Sequence, residues 1–243
     1  MVLVLLAHGL AFTAPSLPGP LPRTALSLRG GAIDMSVANY AAQASGLFGN
    51  MGGAAAFLAG GLVPLATFAA PSPSKDDSPN RLLLLRAHGI TAATSLLSLL
   101  VSVMYATIST NKLSEVLVAP TASLKALLIE GDYALPWIGC NAHFIFGLLG
   151  FATTVGLNVW LTFGGAVGKV VVCAVCSALL LMLSIVNDAA GQGAGSVVAL
   201  LARYVQLLVA AALKGHRVLI LGSLGFAAAA AVLAVRECVA AKS

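Results

Sequence analysis

The chain has 243 residues, of which 59% are apolar and 9% charged, and its mean hydropathy is +0.99. A soluble domain carries charge on about a quarter of its residues, and a disordered chain combines low hydrophobicity with high charge, so both classes are excluded. The formal net charge of +5 comes from single residues scattered between apolar runs, whereas a nucleic-acid surface gathers them into a stripe, which excludes nucleic acid as a partner.

The first eleven residues read as a short secretory signal. An apolar run from Val2 to Ala7 is followed by Gly9-Leu10-Ala11, with small residues at the minus-three and minus-one positions of a cleavage site before Phe12. Residues 12–34 change character, with Pro15, Pro18, Pro20 and Pro22, hydroxyls at Thr13, Ser16, Thr24 and Ser27, Arg23 and Arg29, and no acidic residue until Asp34. Such chemistry is that of a transit peptide. With Phe12 directly after Ala11, residues 1–34 resemble the bipartite plastid-targeting leader of algae with complex red-derived plastids. The resemblance implies passage through the secretory system, entry to the plastid licensed by the exposed Phe12, and a mature chain beginning between Ala32 and Met35. A secretory-pathway membrane is the alternative compartment. Residues 35–50 are expected to be a mature N-terminal tail.

Spanning about 30 Å of hydrocarbon takes roughly 20 mostly apolar residues in a helix. Such runs lie at 51–70, 83–109, 137–163, 169–186 and 217–236, and 196–213 is a further candidate that carries Arg203 and Gln206 near its middle. The expected fold is therefore all-α, a polytopic membrane bundle of five or six transmembrane helices over residues 51–243, in contact with the lipid bilayer. The sizeable connection before 137 is expected to hold a surface helix over 121–130, with Leu124, Leu127 and Leu128 facing the bilayer and Trp137 as an interfacial anchor. With six spans, the loops after the first, third and fifth hold Lys75, Arg81, Arg86, Lys169, Lys214 and Arg217, against Lys112, Lys125, Arg236 and Lys242 opposite. That split places the first set on the stromal side.

Polar residues on one face of a membrane helix mark the face turned to other helices. In 83–109, His88, Thr91, Ser95, Ser98, Ser102, Tyr105 and Ser109 follow at steps of three and four, a 3.5-residue period. In 137–163, His143, Gly147, Gly150, Thr154 and Asn158 form a comparable line whose small residues permit close approach. If these two spans are antiparallel neighbours, residues whose numbers sum to about 246 lie level on the helical rise. His88 then faces Asn158, His143 faces the turn from Ser102 to Tyr105, and the two histidines sit too far apart to clamp one haem. A faint echo at an offset of 55, pairing Ala87-His88 with Ala142-His143, reads as convergence on helix composition.

Neutral imidazole can ligate chlorophyll magnesium or haem iron, so His88 and His143 are candidate cofactor-binding residues, with a structural hydrogen bond as the plainer role for each. The antenna pairing of Glu with Arg inside membrane helices is missing, because no span core contains Asp or Glu. Cys173 and Cys176 share a helix face, lack further zinc ligands nearby, and are expected to be buried small residues; Cys140 and Cys238 stand alone. In 196–213 the stripe Ser196, Ala199, Arg203, Gln206, Ala210 and Lys214 must face the bundle if the segment spans, making Arg203 and Gln206 an anion or headgroup contact. If the segment lies flat, the stripe faces water. We favour spanning.

No phosphate-cradling loop, zinc-protease motif or nucleophile elbow is present, so catalytic and metal residues are expected to be none. The leading expectation is a non-catalytic plastid membrane protein, thylakoid or inner envelope, that packs against photosynthetic or other membrane complexes or holds pigment. A small-solute or ion transporter is the second reading and a haem-bearing redox protein the third.

Overall fold

A computed structural model describes residues 39–67, 72–74, 77–115, 121–191 and 196–213, together with Gly222, Gly225, Phe226, Ala228, Ala229, Ala230, Val232 and Leu233. The leader, the first residues of the tail and most of the 217–236 run lie outside these residues. The described chain is built from α1 (Ala41–Thr67), α2 (Pro79–Glu115), a π-helical turn (Ala126–Glu130), α3 (Ala134–Phe163), α4 (Gly165–Gly191) and α5 (Val197–Leu213). Among the described residues, α1 to α4 are four helices long and apolar enough to cross a membrane. At 17 residues α5 is about 25 Å long, short of the hydrocarbon thickness.

Capping chemistry sets several of these ends, and it carries helices past the apolar runs. The Asn39 side-chain oxygen accepts the Ala41 N–H at 2.9 Å, so α1 begins ten residues before the expected span. Pro79 opens α2 in the position where its missing N–H costs nothing, and the Ser78 hydroxyl accepts the Arg81 N–H at 3.4 Å. Between α3 and α4, Gly164 and Gly165 take φ of 55° and 48°, a left-handed pair that only glycine adopts without strain. The turn is thereby reduced to Gly164. Ser196 caps α5 by accepting the Ala199 N–H at 3.1 Å.

α1, α2 and α3 all touch one another, α4 packs mainly on α3, and α5 leans on α3 and α4. Ala55, Ala59, Leu62 and Leu99 fill the middle of the three-helix core, backed by Phe144 and Phe151. Arg81 fastens one end. Its guanidinium pairs with Asp77 at 2.9 Å and donates to the Leu161 carbonyl at 3.3 Å, satisfying a carbonyl that the last turn of α3 leaves open.

At the other end the 121–130 segment departs from the expected surface helix. Ser123 caps a turn that continues as the π-helix, and Leu127 and Leu128 are buried. They pack with Ala44 and Phe48 of α1, Leu113 of α2 and Cys140 of α3, with Leu124 and Trp137 against the same cluster. The leucines face the bundle because α1 and α2 both extend beyond the apolar runs and leave an open end between them. Trp137 meets Phe48 edge-on, with ring centroids 5.3 Å apart. Leu128→Ala is expected to lower the unfolding free energy by about 2–4 kcal/mol in detergent, a core-sized loss. Chemical denaturation of the purified protein measures it, and a loss near zero would return Leu128 to the bilayer face.

Candidate functional site

The α2–α3 seam is the place where most of the singled-out polar residues meet. The helices run antiparallel with contacting numbers that sum close to the expected 246. Ser95 Oγ donates to the Gly147 carbonyl at 2.6 Å and Ser102 Oγ to the Cys140 carbonyl at 2.9 Å. Glycine permits this approach. A Cβ on Gly147 would lie 2.5 Å from Leu99 side-chain carbons, and one on Gly150 would lie 2.6 Å from Ser95 Cβ.

The buried face of α2 differs in part from the expected line. It is His88, Ala92, Ser95, Leu99, Ser102, Ala106, Ser109 and Leu113, alternating steps of four and three. His88, Ser95, Ser102 and Ser109 hold their places, while Thr91, Ser98 and Tyr105 are only half-buried beside it. The displacement arises because α2 is gripped by two helices. Ala106 meets Gly52 of α1 so closely that a Cβ there would lie 2.8 Å away, and this turns the Ala/Leu positions inward with the serines. On α3, Gly147, Thr154 and Asn158 are buried, and the hydroxyl of Thr154 donates to its own helix at the Gly150 carbonyl, 2.8 Å away.

The histidines fall at different depths. His143 lies beside Tyr105, ring centroids 6.2 Å apart, as the level rule expects. His88 is 17 residues before Tyr105 on α2, about 25 Å along the axis. His143 Nε2 is 2.8 Å from the Tyr204 hydroxyl, which is 3.5 Å from the Tyr105 hydroxyl. His88 is 3% exposed, and its Nε2 and the His143 Nδ1 are buried without a hydrogen-bond partner. His143 Nε2 is thus engaged by a phenol, while His88 Nε2 is enclosed. Among the described residues no three His, Cys, Asp or Glu side chains converge on one metal position.

Tyr204 and Gly139 are the residues that the sequence reading missed. A Cβ on Gly139 would lie 2.8 Å from the Tyr105 ring and 3.1 Å from the Tyr204 ring, so the polar trio exists because position 139 has no side chain. The signal was present, since a tyrosine inside an apolar run must place its hydroxyl somewhere. Cys140 is buried against Ser102, with Sγ 3.4 Å from Oγ. Cys173 and Cys176 are free and exposed on α4, a correction to their expected burial that follows from α4 having one principal partner.

In α5 the packed face is Leu200, Leu201, Tyr204, Leu207 and Leu208, set against Leu135, Trp137, Ile138 and Ala142. The polar stripe does not face the bundle. Ala199, Gln206 and Ala210 are exposed, and Arg203 at its edge donates Nη2–H to the Ile129 carbonyl at 2.7 Å. Lys214 of that stripe and the isolated Cys238 lie outside the described residues.

Two glycine substitutions separate packing from propensity. Gly147→Ala is expected to cost about 1–3 kcal/mol by overpacking against Leu99, whereas Gly53→Ala, with nothing within 4 Å, is expected to be neutral or slightly stabilising. Denaturation midpoints of the two variants in one detergent make the comparison. Tyr204→Phe removes the phenol from His143 and is expected to cost about 0.6–1.7 kcal/mol in the same assay. Comparison with known protein families, characterised proteins and solved structures returns no match for this chain.

Proposed function

We infer that the chain is a non-catalytic integral membrane protein of a plastid membrane, thylakoid or inner envelope, whose bundle of five or six spans packs against other membrane proteins. One observation carries the choice of packing over transport or redox chemistry. Most of the polar residues that would line a path or hold a cofactor are engaged with the protein's own groups: Ser95 and Ser102 with carbonyls across the seam, Thr153, Thr154 and Thr162 with carbonyls of their own helix, and His143 with Tyr204, while His88 Nε2 is enclosed without a partner. Outward, α4 presents Val170, Leu180, Leu181 and Ile185, and only 6% of its most apolar window is buried within the chain. That face is free for lipid or for a partner helix. The plastid assignment is supported by the Ala11-Phe12 junction and the acid-free, Pro-rich stretch after it.

The protein is expected to co-migrate with a larger membrane complex after mild solubilisation and to be colourless when purified alone. A chlorophyll or Soret band that disappears with His88→Leu or His143→Leu would replace this reading with a pigment or haem protein. Flux across liposomes that is abolished by Arg203→Ala would replace it with a transporter. A fluorescent protein fused behind residues 1–34 is expected to enter the plastid, and Phe12→Ala to leave it outside; retention of both fusions in the secretory pathway would move the chain to that membrane.

A further inference from the structure

Among the described residues Arg203 has a hydrogen-bond partner but no counter-charge. Its hydrogen bond goes to the neutral Ile129 carbonyl, which takes one of five guanidinium N–H groups and none of the charge. The carboxylates of the same connection, Glu130 and Asp132, are exposed and make no ion pair with it. The ion pair of Arg81 with Asp77 lies at the other end of the bundle. A half-buried guanidinium in an apolar helix leaves its charge for water or an anion to satisfy.

Two further observations show where that anion would come from. Arg203 is tied to the connection that carries the exposed Lys125, Glu130 and Asp132, so it stands at the level of the aqueous boundary. Beside it, along α5, lies a shallow, open hollow of about 590 Å³ lined by Ala199, Ala202, Arg203, Gln206, Leu207 and Ala210. From Arg203 at that boundary to Ala210 it runs about 10 Å along the helix, room for the upper part of an acyl chain within one leaflet. Its lining is small and apolar, apart from Arg203 and the Gln206 amide at its middle.

We propose that this face of α5 binds one anionic phospholipid, its phosphate on the Arg203 guanidinium and Gln206 amide and one acyl chain along the alanine wall. Charge complementarity selects the headgroup, since a zwitterionic lipid brings its own cation to a site that already holds one. The hollow selects a lipid over a free anion, because phosphate alone leaves Ala202, Leu207 and Ala210 uncovered. The proposal rests on the membrane reading above.

The test uses the full chain purified in detergent and titrated with phosphatidylglycerol or phosphatidylcholine of identical acyl chains, with inorganic phosphate as a third arm. Bound lipid is counted by native mass spectrometry. The wild type is expected to retain phosphatidylglycerol roughly fivefold more strongly than phosphatidylcholine, the preference one basic residue gives near an anionic surface. Arg203→Gln is expected to erase the preference. Because that change also releases Ile129, Ala202→Phe is measured beside it: the ring fills the hollow, leaves the Arg203 contact in place, and is expected to lower phosphatidylglycerol retention without changing helicity or unfolding midpoint. Equal retention of the two lipids by the wild type, or a preference that survives both variants, overturns the proposal. Displacement of the lipid by millimolar inorganic phosphate also overturns it, in favour of a free-anion site. Release of the native protein from membranes by an alkaline wash, before any lipid is added, would instead sink the membrane reading itself.

Discussion

The close approach of α2 and α3 is the contact on which the rest of the bundle depends. Lipid tails are as apolar as leucine, so burial gives two membrane helices little reason to associate, and what holds them is close packing and hydrogen bonds made where the alternative partner would be hydrocarbon. Gly147 and Gly150 bring the backbones near enough for the Ser95 hydroxyl to reach a carbonyl of the other helix, and Ser102 repeats the contact two turns further along. The small side chains and the hydroxyls therefore act as one device, because neither would accomplish much without the other. Each of the other described helices adds to this pair. α1 closes on it through Gly52 and Ala106, α4 through Gly156 and Val175, and α5 through the space left above Gly139.

Much of this could be read from residues alone, and the parts that could not have a common cause. Apolar runs locate the stretches that a bilayer can hold, and the 3.5-residue recurrence of serines on α2 located its central line. The antiparallel level rule followed from helix geometry. What hydropathy cannot see is helix that continues into the interface, because Gln43, Ser45 and Asn50 end an apolar run without ending a helix. Asn39 and the Ser78-Pro79 pair were the better boundary signals, since they act on backbone N–H groups rather than on lipid. Once α1 and α2 overshoot, the connection after α2 has an apolar end to cover, and Leu127 and Leu128 turn inward.

The same limit explains the polar site. Periodicity assigns a face to each helix but does not say which neighbour occupies it, so Thr91 and Ser98 were indistinguishable from Ser95 and Ser102 until the position of α1 was known. Contacts between distant segments were harder still. Tyr204 and His143 are 61 residues apart, and nothing in either local pattern names the other. Arg203 was visible as an anomaly in an apolar stretch, yet its protein partner is a backbone carbonyl, a group that every residue carries and no pattern of side chains reveals.

The bond between Arg203 and Ile129 also bears on the order of assembly. The two residues are 74 positions apart in the chain. The α2–α3 hairpin is closed by contacts within residues 79–163, so it can form before α5 is in place to supply the donor for the connection before α3. During that interval the α2–α3 hairpin already has both partners of its seam, whereas the Ile129 carbonyl still looks to water. The turn is thus held at the membrane surface by hydration while the hairpin settles, and it passes from solvent to protein only when the fifth helix arrives.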